Sequence, residues 1–362
     1  MGLKGTTLLG ELSEIFERFP SLDELGLIPA ELAEDTAERA KEVFGSGSNS
    51  GGSEEGGGIY VSKSKALFVH DDKRLAVAAW CVPPLYITTS TEVKQWRKKI
   101  EKNGMLDEKE QVSAENALRA LLCINAENYT GWNTRKMMIE MRVEKKGWKK
   151  SKKEEKMRKR EKDKKEEIQE SVQKNERKEE DRTKAEQVLN KERHFLNLVL
   201  TKHPKSGETW SHRKWMMLFA VRNGWKGYES VESELATATR CTEVYAKNYF
   251  AWSYKYWFLS RFGTNREVED ESNASRDWIR LHISDHAGCH FHQKVAELHL
   301  ALSLLPPSFF KCEEKRNVKT EVEKEKTRDE TGKEEEREIE KEERGESWRG
   351  ERGDGEGRRE EK

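Results

Sequence analysis

Apolar residues recur at helical spacing over most of this chain. Ala114, Leu118, Leu121 and Ile124 fall on one helical face, and Val231, Leu235, Ala238, Cys241 and Tyr245 fall on another. A similar stripe, Leu8, Leu12, Ile15 and Phe16, makes residues 7–44 read as helix with a break at Pro20-Ser21, so residues 1–44 are an N-terminal helical segment. The stretch GSGSNSGGSEEGGG, residues 45–58, has the composition of a flexible linker or surface loop. Beyond it, Leu75–Val82 and Val93–Ile100 resume an apolar pattern on either side of Pro83-Pro84.

Superimposed on this pattern is a longer repeat. Four segments align: Asn128-Tyr-Thr-Gly-Trp132-Asn-Thr-Arg135, Lys205 to Arg213 around Trp210, Asn248 to Lys255 around Trp252, and His286 to His292 around Cys289. Anchored on Trp132, Trp210, Trp252 and Cys289, the spacings are 78, 42 and 37 residues. Each anchor is preceded by one helical stripe and followed by another, so the unit is helix, short turn, helix. A single hairpin of this kind cannot bury its own apolar face, whereas three or more stacked hairpins share a continuous core. The pattern therefore predicts an all-α fold, a right-handed α–α superhelix or solenoid of hairpin repeats. In it the tryptophans, each with a large apolar area and one indole donor, fill the gaps between neighbours.

Composition explains the one irregular spacing. Charged residues make up 38% of the 362-residue chain and hydrophobic ones 34%, and the excess charge lies in two runs, 144–186 and 312–362. The first is about as long as one repeat, and removing it restores a spacing close to the others, so it is an insertion within the array. Its Glu and Lys content at i, i+4 suits either a single exposed helix or disorder, and the second run reads as a disordered tail. The repeat domain is then 59–311. Lysine plus arginine equals aspartate plus glutamate at 68 each, so no whole-molecule field favours nucleic acid or an anionic membrane. Trp148 alone makes no stacking platform for RNA in the basic start of the insertion. The five cysteines form no CxxC pair, which fits reduced thiols in a cytoplasmic protein. Glutamates interrupt the N-terminal apolar residues, so no signal peptide or transmembrane segment is expected, and Met1-Gly2 with Thr6 resembles an acylation signal only weakly. The final residues offer no cysteine that could itself accept a prenyl group.

The signature Asn-Tyr-x-x-Trp-x-x-Arg at Asn128–Arg135, in its array from Ala114 to about Leu300, resembles the repeat of the protein prenyltransferase α-subunit family. PSLDELGLIP (20–29), LAVAAWCV (75–82) and SDHAGCH (284–290) resemble a divergent, repeat-containing branch of that family. The resemblance implies a crescent of helical hairpins wrapped around a β-subunit partner, which holds zinc, the isoprenoid diphosphate and the protein substrate. This chain would carry no cofactor of its own and would not be catalytic alone. By the same resemblance Lys205, in Pro204-Lys205-Ser206, and Tyr249, in Asn248-Tyr249-Phe250, take the places of family residues that reach the diphosphate and stabilise the charge of the leaving group. Two departures reduce that donor set: Gly207 stands where the family has a tyrosine, and Phe250 where it has a histidine.

Each of these positions also has a plainer reading. Lys205 is equally a solvated turn lysine, and Tyr249 a packing residue, since Tyr129 holds the equivalent place without a functional claim. Arg135, Arg213, Lys255 and His292 share one repeat offset and are expected to bridge groups between hairpins. His282, His286, Cys289, His290 and His292 are zinc-type residues but coincide with a repeat turn in which Asp285 suits a helix cap, so no metal is assigned to them. No Gly-rich phosphate loop, Ser-His-Asp arrangement or HExxH is present. Two functions therefore remain. One is the α subunit of a heterodimeric protein prenyltransferase, transferring geranylgeranyl in preference to farnesyl. The other is a non-catalytic helical-repeat scaffold that binds another protein.

Overall fold

In a computed structural model, residues 4–44, 59–144, 166–223 and 231–304 are described. The sequence-predicted linker at 45–58, the start of the charged insertion (145–165) and the tail at 312–362 lie outside them. The chain begins with α1 (Gly5–Arg18), β1 (Glu24–Ile28), α2 (Ala30–Phe44), β2 (Ile59–Val61), β3 (Leu67–His70) and β4 (Arg74–Ala78), then a 3₁₀ turn at Ala79–Cys81. It continues through α3 (Val82–Asn103), α4 (Glu108–Ile124), α5 (Tyr129–Glu144), α6 (Glu166–Lys202), α7 (Gly207–Arg222), α8 (Val231–Val244), α9 (Tyr249–Phe262), α10 (Asn265–Leu281) and α11 (His286–Leu304). The latter part of the charged insertion thus belongs to the long helix α6.

The N-terminal segment is not purely helical. Residues 24–28 form a strand that pairs in parallel with β4, Glu24 opposite Arg74 and Ile28 opposite Ala78, in a sheet of order β1-β4-β3-β2. Five residues are too few for periodicity to separate strand from helix, and the partner strand lies about 50 residues away, beyond the reach of any local pattern. The β3–β4 hairpin turns through Asp71 and Asp72, both at positive φ (51° and 55°), the conformation whose twist matches the flanking strands. Leu8, Leu12, Ile15 and Phe16 of α1 are buried, and α1 packs on α3 and α4. On its free edge β1 meets α6, where the Leu25 amide donates to Thr201 Oγ1 at 3.0 Å. Pro83 and Pro84 do not break the chain but open α3, where a missing amide costs nothing.

From α4 onward the helices pair as hairpins: α4–α5, α6–α7, α8–α9 and α10–α11. Second helices pack in succession, α5 on α7, α7 on α9 and α9 on α11, and the first helices α4, α6 and α8 do the same. Every second helix is started by the residue four before its anchor. Asn128 Oδ1 accepts from the Gly131 amide, Ser206 Oγ from Thr209, Asn248 Oδ1 from Ala251 and Asp285 Oδ1 from Gly288, each satisfying an amide that the helix itself cannot.

One cluster of four side chains recurs at each junction between hairpins. Trp132 is covered by the His212 ring of the next hairpin at 4.6 Å, Trp210 by Tyr254 at 4.9 Å, and Trp252 by Phe291 at 4.8 Å; each covering residue lies two after its own anchor. Three residues after each tryptophan a cation reaches a glutamate of the next first helix. Arg135 Nη2 meets Glu192 at 2.6 Å, Arg213 Nε meets Glu234 at 2.8 Å, and Lys255 Nζ meets Glu271 at 2.6 Å. Each glutamate sits eighteen residues before the next anchor. The covering residue joins the same carboxylate in two of the three: His212 Nε2 lies 2.8 Å from Glu192 Oε1, and Tyr254 Oη donates to Glu234 Oε2 at 2.8 Å.

Burial alone would raise the Glu192 carboxyl, but the Arg135 guanidinium and the His212 hydrogen bond outweigh it and hold the pKa at about 2. For His212 burial wins and lowers the imidazole below its ordinary 6.5, despite its bond to Glu192. Its Nδ1 is buried without a hydrogen-bond partner, so a second ring proton would find no acceptor.

Removing one member of a buried pair leaves the other charge uncompensated. Glu234→Gln is expected to cost about 3–5 kcal/mol in urea unfolding. Asp270→Asn, which disrupts the exposed Arg266–Asp270 pair, is expected to cost under about 1 kcal/mol. Similar losses in both variants would contradict the role given to the buried pair. Acid should act on the first junction in two stages. His212, whose folded pKa is depressed, contributes stability above pH 6.5 that is lost as the pH falls below it, and Glu192 contributes stability lost between its ordinary 4.5 and about 2. Thermal midpoints measured from about pH 7.5 to 5.5 should therefore fall further for the wild type than for His212→Gln, which keeps a donor toward Glu192 but does not titrate.

Candidate functional site

The turns inside successive hairpins stack edge to edge, because each cap also reaches back to the turn before it. Ser206 Oγ donates to the Ala126 carbonyl at 3.0 Å and Asn248 Nδ2 to the Pro204 carbonyl at 2.8 Å. These are equivalent carbonyls, six residues before Trp132 and Trp210, and each also accepts from its own indole, at 2.8 and 2.9 Å. At the last junction the direction reverses, and Trp252 Nε1 donates to Asp285 Oδ2 at 3.3 Å. The result is one continuous edge made of the turns at 125–128, 203–206, 245–248 and 282–285.

Lys205 and Tyr249 both lie on this edge, on adjacent turns. Lys205 is exposed, and its ammonium stands 4.5 Å from the centre of the Tyr245 ring. Tyr249 opens α9 and is 61% exposed. Beside them Val244, Tyr245 and Phe250 are also exposed, and on the next turn Leu281 and Ile283 are each 82% exposed. Large apolar side chains concentrated on one edge are the surface expected of a protein interface. The anchors Trp132, Trp210 and Trp252 and the cations Arg135 and Arg213 are instead buried between hairpins, away from this edge.

The two departures noted in the sequence prove to be one feature. A Cβ added to Gly207 would fall 2.9 Å from Phe250 Cε1, so the Phe250 ring occupies the space that a side chain at 207 would need. The glycine thus leaves the space beside this turn to the Phe250 ring of the next hairpin.

Other candidate chemistry is accounted for locally. His282 stacks on Trp278 with ring centres 3.7 Å apart, and its Nδ1 lies 3.0 Å from the Trp278 carbonyl. His292 Nδ1 lies 2.9 Å from Ser275 Oγ. Among the described residues no three metal-ligating side chains converge. Burial pushes the thiols of Cys81 and Cys123 up to about 12 and that of Cys241 to about 11, which removes them as thiolate nucleophiles near neutral pH. Among the described residues no helix is long and apolar enough to cross a membrane. A cavity of about 330 Å³ is lined by Glu115, Arg135, Arg142 and Glu192, whose charges pair with one another.

The dependence of Gly207 on Phe250 is measurable. Gly207→Ala should cost no more than about 1 kcal/mol in the wild type, because the exposed Phe250 ring must swing off the new methyl group. In the Phe250→Ala background the same change should cost less than about 0.5 kcal/mol, a coupling read directly from a double-mutant cycle. Additive losses would show that the two positions do not share this space.

The family model described as protein prenyltransferase alpha subunit repeat matches residues 189–220 and 231–262, which are the end of α6 with α7, and α8 with α9. Protein prenyltransferase alpha subunit repeat-containing protein 1 of Danio rerio is 24% identical over 317 residues, covering 82% of this chain and 56% of the relative. Its Homo sapiens counterpart is 22% identical over 306 residues, covering 78% and 56%, and protein 1-A of Xenopus laevis is 23% identical over 317 residues, covering 81% and 54%. The chain spans about half the length of the curated relatives it matches. Stacked hairpins with a tryptophan anchor at each of three junctions and the matched segments agree: this is an α–α helical-repeat protein, two of whose hairpins match the protein prenyltransferase alpha subunit repeat.

Proposed function

We propose that the chain serves as the α subunit of a heterodimeric protein prenyltransferase, transferring geranylgeranyl to protein cysteines in the cytoplasm. The observation that carries this reading is the exposed turn edge, on which Lys205 and Tyr249 stand on adjacent turns among large exposed apolar residues. A β subunit seated on that edge would cover the apolar residues and bring its own isoprenoid diphosphate toward the lysine. Zinc on that partner would hold the acceptor cysteine as thiolate. As the thiolate forms its bond to the isoprenoid carbon, the carbon–oxygen bond to diphosphate breaks and negative charge gathers on the leaving group. On this reading the Lys205 ammonium and the Tyr249 hydroxyl would offset that charge.

The Phe250 ring over Gly207 supports a second reading. Replacing donors with an aromatic ring suits a repeat scaffold that binds another protein through the same edge without supporting transfer.

Kinetics with the partner separate the two. The chain would be co-expressed with each prenyltransferase β subunit and the complex assayed with labelled isoprenoid diphosphates. Lys205→Ala is expected to lower kcat by about 10²-fold and leave the complex intact, as loss of one donor to a developing charge does elsewhere. Tyr249→Phe is expected to act in the same direction. A stable complex that transfers lipid equally well with Lys205→Ala would remove the catalytic assignment, and a stable complex that transfers none would establish the scaffold.

A further inference from the structure

The turns of the edge share a position just before the helix cap, held by Glu127, Lys205, Lys247 and Ser284. At the first turn it is a carboxylate already in use, because Glu127 Oε1 accepts from the Gly207 amide at 3.1 Å. At the two middle turns it is a lysine. Both lysines are exposed, and neither ammonium has an ion pair among the described residues. These two turns touch where Asn248 Nδ2 donates to the Pro204 carbonyl at 2.8 Å, so Lys205 and Lys247 flank that contact, one on each turn, with Tyr249 next to it. Within 203–208 and 245–250 Glu208 is the only carboxylate, and it already has a partner. Lys247 is also held in a costly conformation. Its φ is 58°, and among the described residues from α4 onward no other non-glycine residue has positive φ. That region at a turn favours glycine or asparagine, and a lysine there costs backbone energy. The Lys247 carbonyl accepts from the Tyr249 amide at 3.0 Å, which ties this backbone to the start of α9.

We propose that Lys247 is a second cation for the diphosphate leaving group, acting beside Lys205 and Tyr249. The inference rests on the prenyl-transfer reading and extends its site to a residue that the repeat signature does not single out. A diphosphate is charged on both of its phosphoryl groups, and the carbon–oxygen bond that breaks delivers a further electron pair to it. One ammonium leaves much of that charge uncompensated, whereas two on touching turns can serve one phosphoryl group each. A lysine kept where glycine would fit at lower cost is then accounted for, because the side chain and not the turn is what the position supplies.

Lys247→Gly removes the ammonium and gives the turn the residue that its φ favours, so the thermal midpoint should stay the same or rise. In the complex with a β subunit that supports transfer, this variant is expected to lower kcat/KM for labelled geranylgeranyl diphosphate by at least about tenfold. It should raise the inhibition constant of inorganic pyrophosphate by a similar factor. Lys247→Arg keeps the charge and should retain most of both. A loss in Lys205→Ala with none in Lys247→Gly would overturn this inference and leave the proposed function standing, and an equal loss in Lys247→Arg and Lys247→Gly would overturn it by making the position structural. Absence of transfer in every complex, or wild-type rates in both Lys205→Ala and Lys247→Gly, would overturn the inference together with the reading it rests on.

Discussion

A charge placed between two helical hairpins is costly unless the neighbouring hairpin brings an opposite charge to it. The buried Glu192 and Glu234 and the partly exposed Glu271 are met in this way by Arg135, Arg213 and Lys255, always from the hairpin before. An apolar interface tolerates sliding by a turn, whereas a charge pair sealed under a tryptophan does not, because any shift leaves two charges desolvated and apart. The pair therefore sets the register of each hairpin on the last. The aromatic residue two after each anchor completes the arrangement by covering the preceding tryptophan, and in His212 and Tyr254 by bonding to the same carboxylate.

Fixed register has a consequence at the turns. With the hairpins locked, the caps at Ser206 and Asn248 fall opposite equivalent carbonyls of the preceding turn, and the turns form a continuous edge. That edge is where Lys205, Tyr245, Tyr249 and Phe250 are displayed together, although none of them takes part in the buried clusters. The N-terminal sheet is attached to the same array through β1 and α6, and its hairpin forms the far wall of a cleft whose near wall includes Pro204, the neighbour of Lys205. Structure at the core thus decides what the surface can present.

The repeats were legible because their signal is local and recurrent. Three tryptophans, the cations three residues later and the caps four residues earlier stand at fixed offsets, and their helix-turn-helix setting follows from apolar periodicity. The glutamates that answer the cations went unread, although Glu192, Glu234 and Glu271 hold one offset before the next anchor and that regularity was open to inspection. The sheet was not legible in the same way. Its strands are three to five residues long, and β1 owes its conformation to a partner about fifty residues distant. At the candidate site, sequence placed Lys205 and Tyr249 on turns. The exclusion of a side chain at 207 by Phe250 depends on a distance between two hairpins that no local pattern encodes.

The central claim is that the buried clusters hold the turn edge together, and hydrogen exchange by mass spectrometry on Glu234→Gln tests it most directly. Because the cluster at Glu234 ties α7 to α8 and α9, the account predicts that protection falls jointly in α7, α8 and α9 and at the turns 203–206 and 245–248. The sheet and α1 should keep the protection they have in the wild type. Faster exchange confined to α8 around residue 234, with the turns unaffected, would contradict the claim that this carboxylate sets the register on which the exposed edge depends.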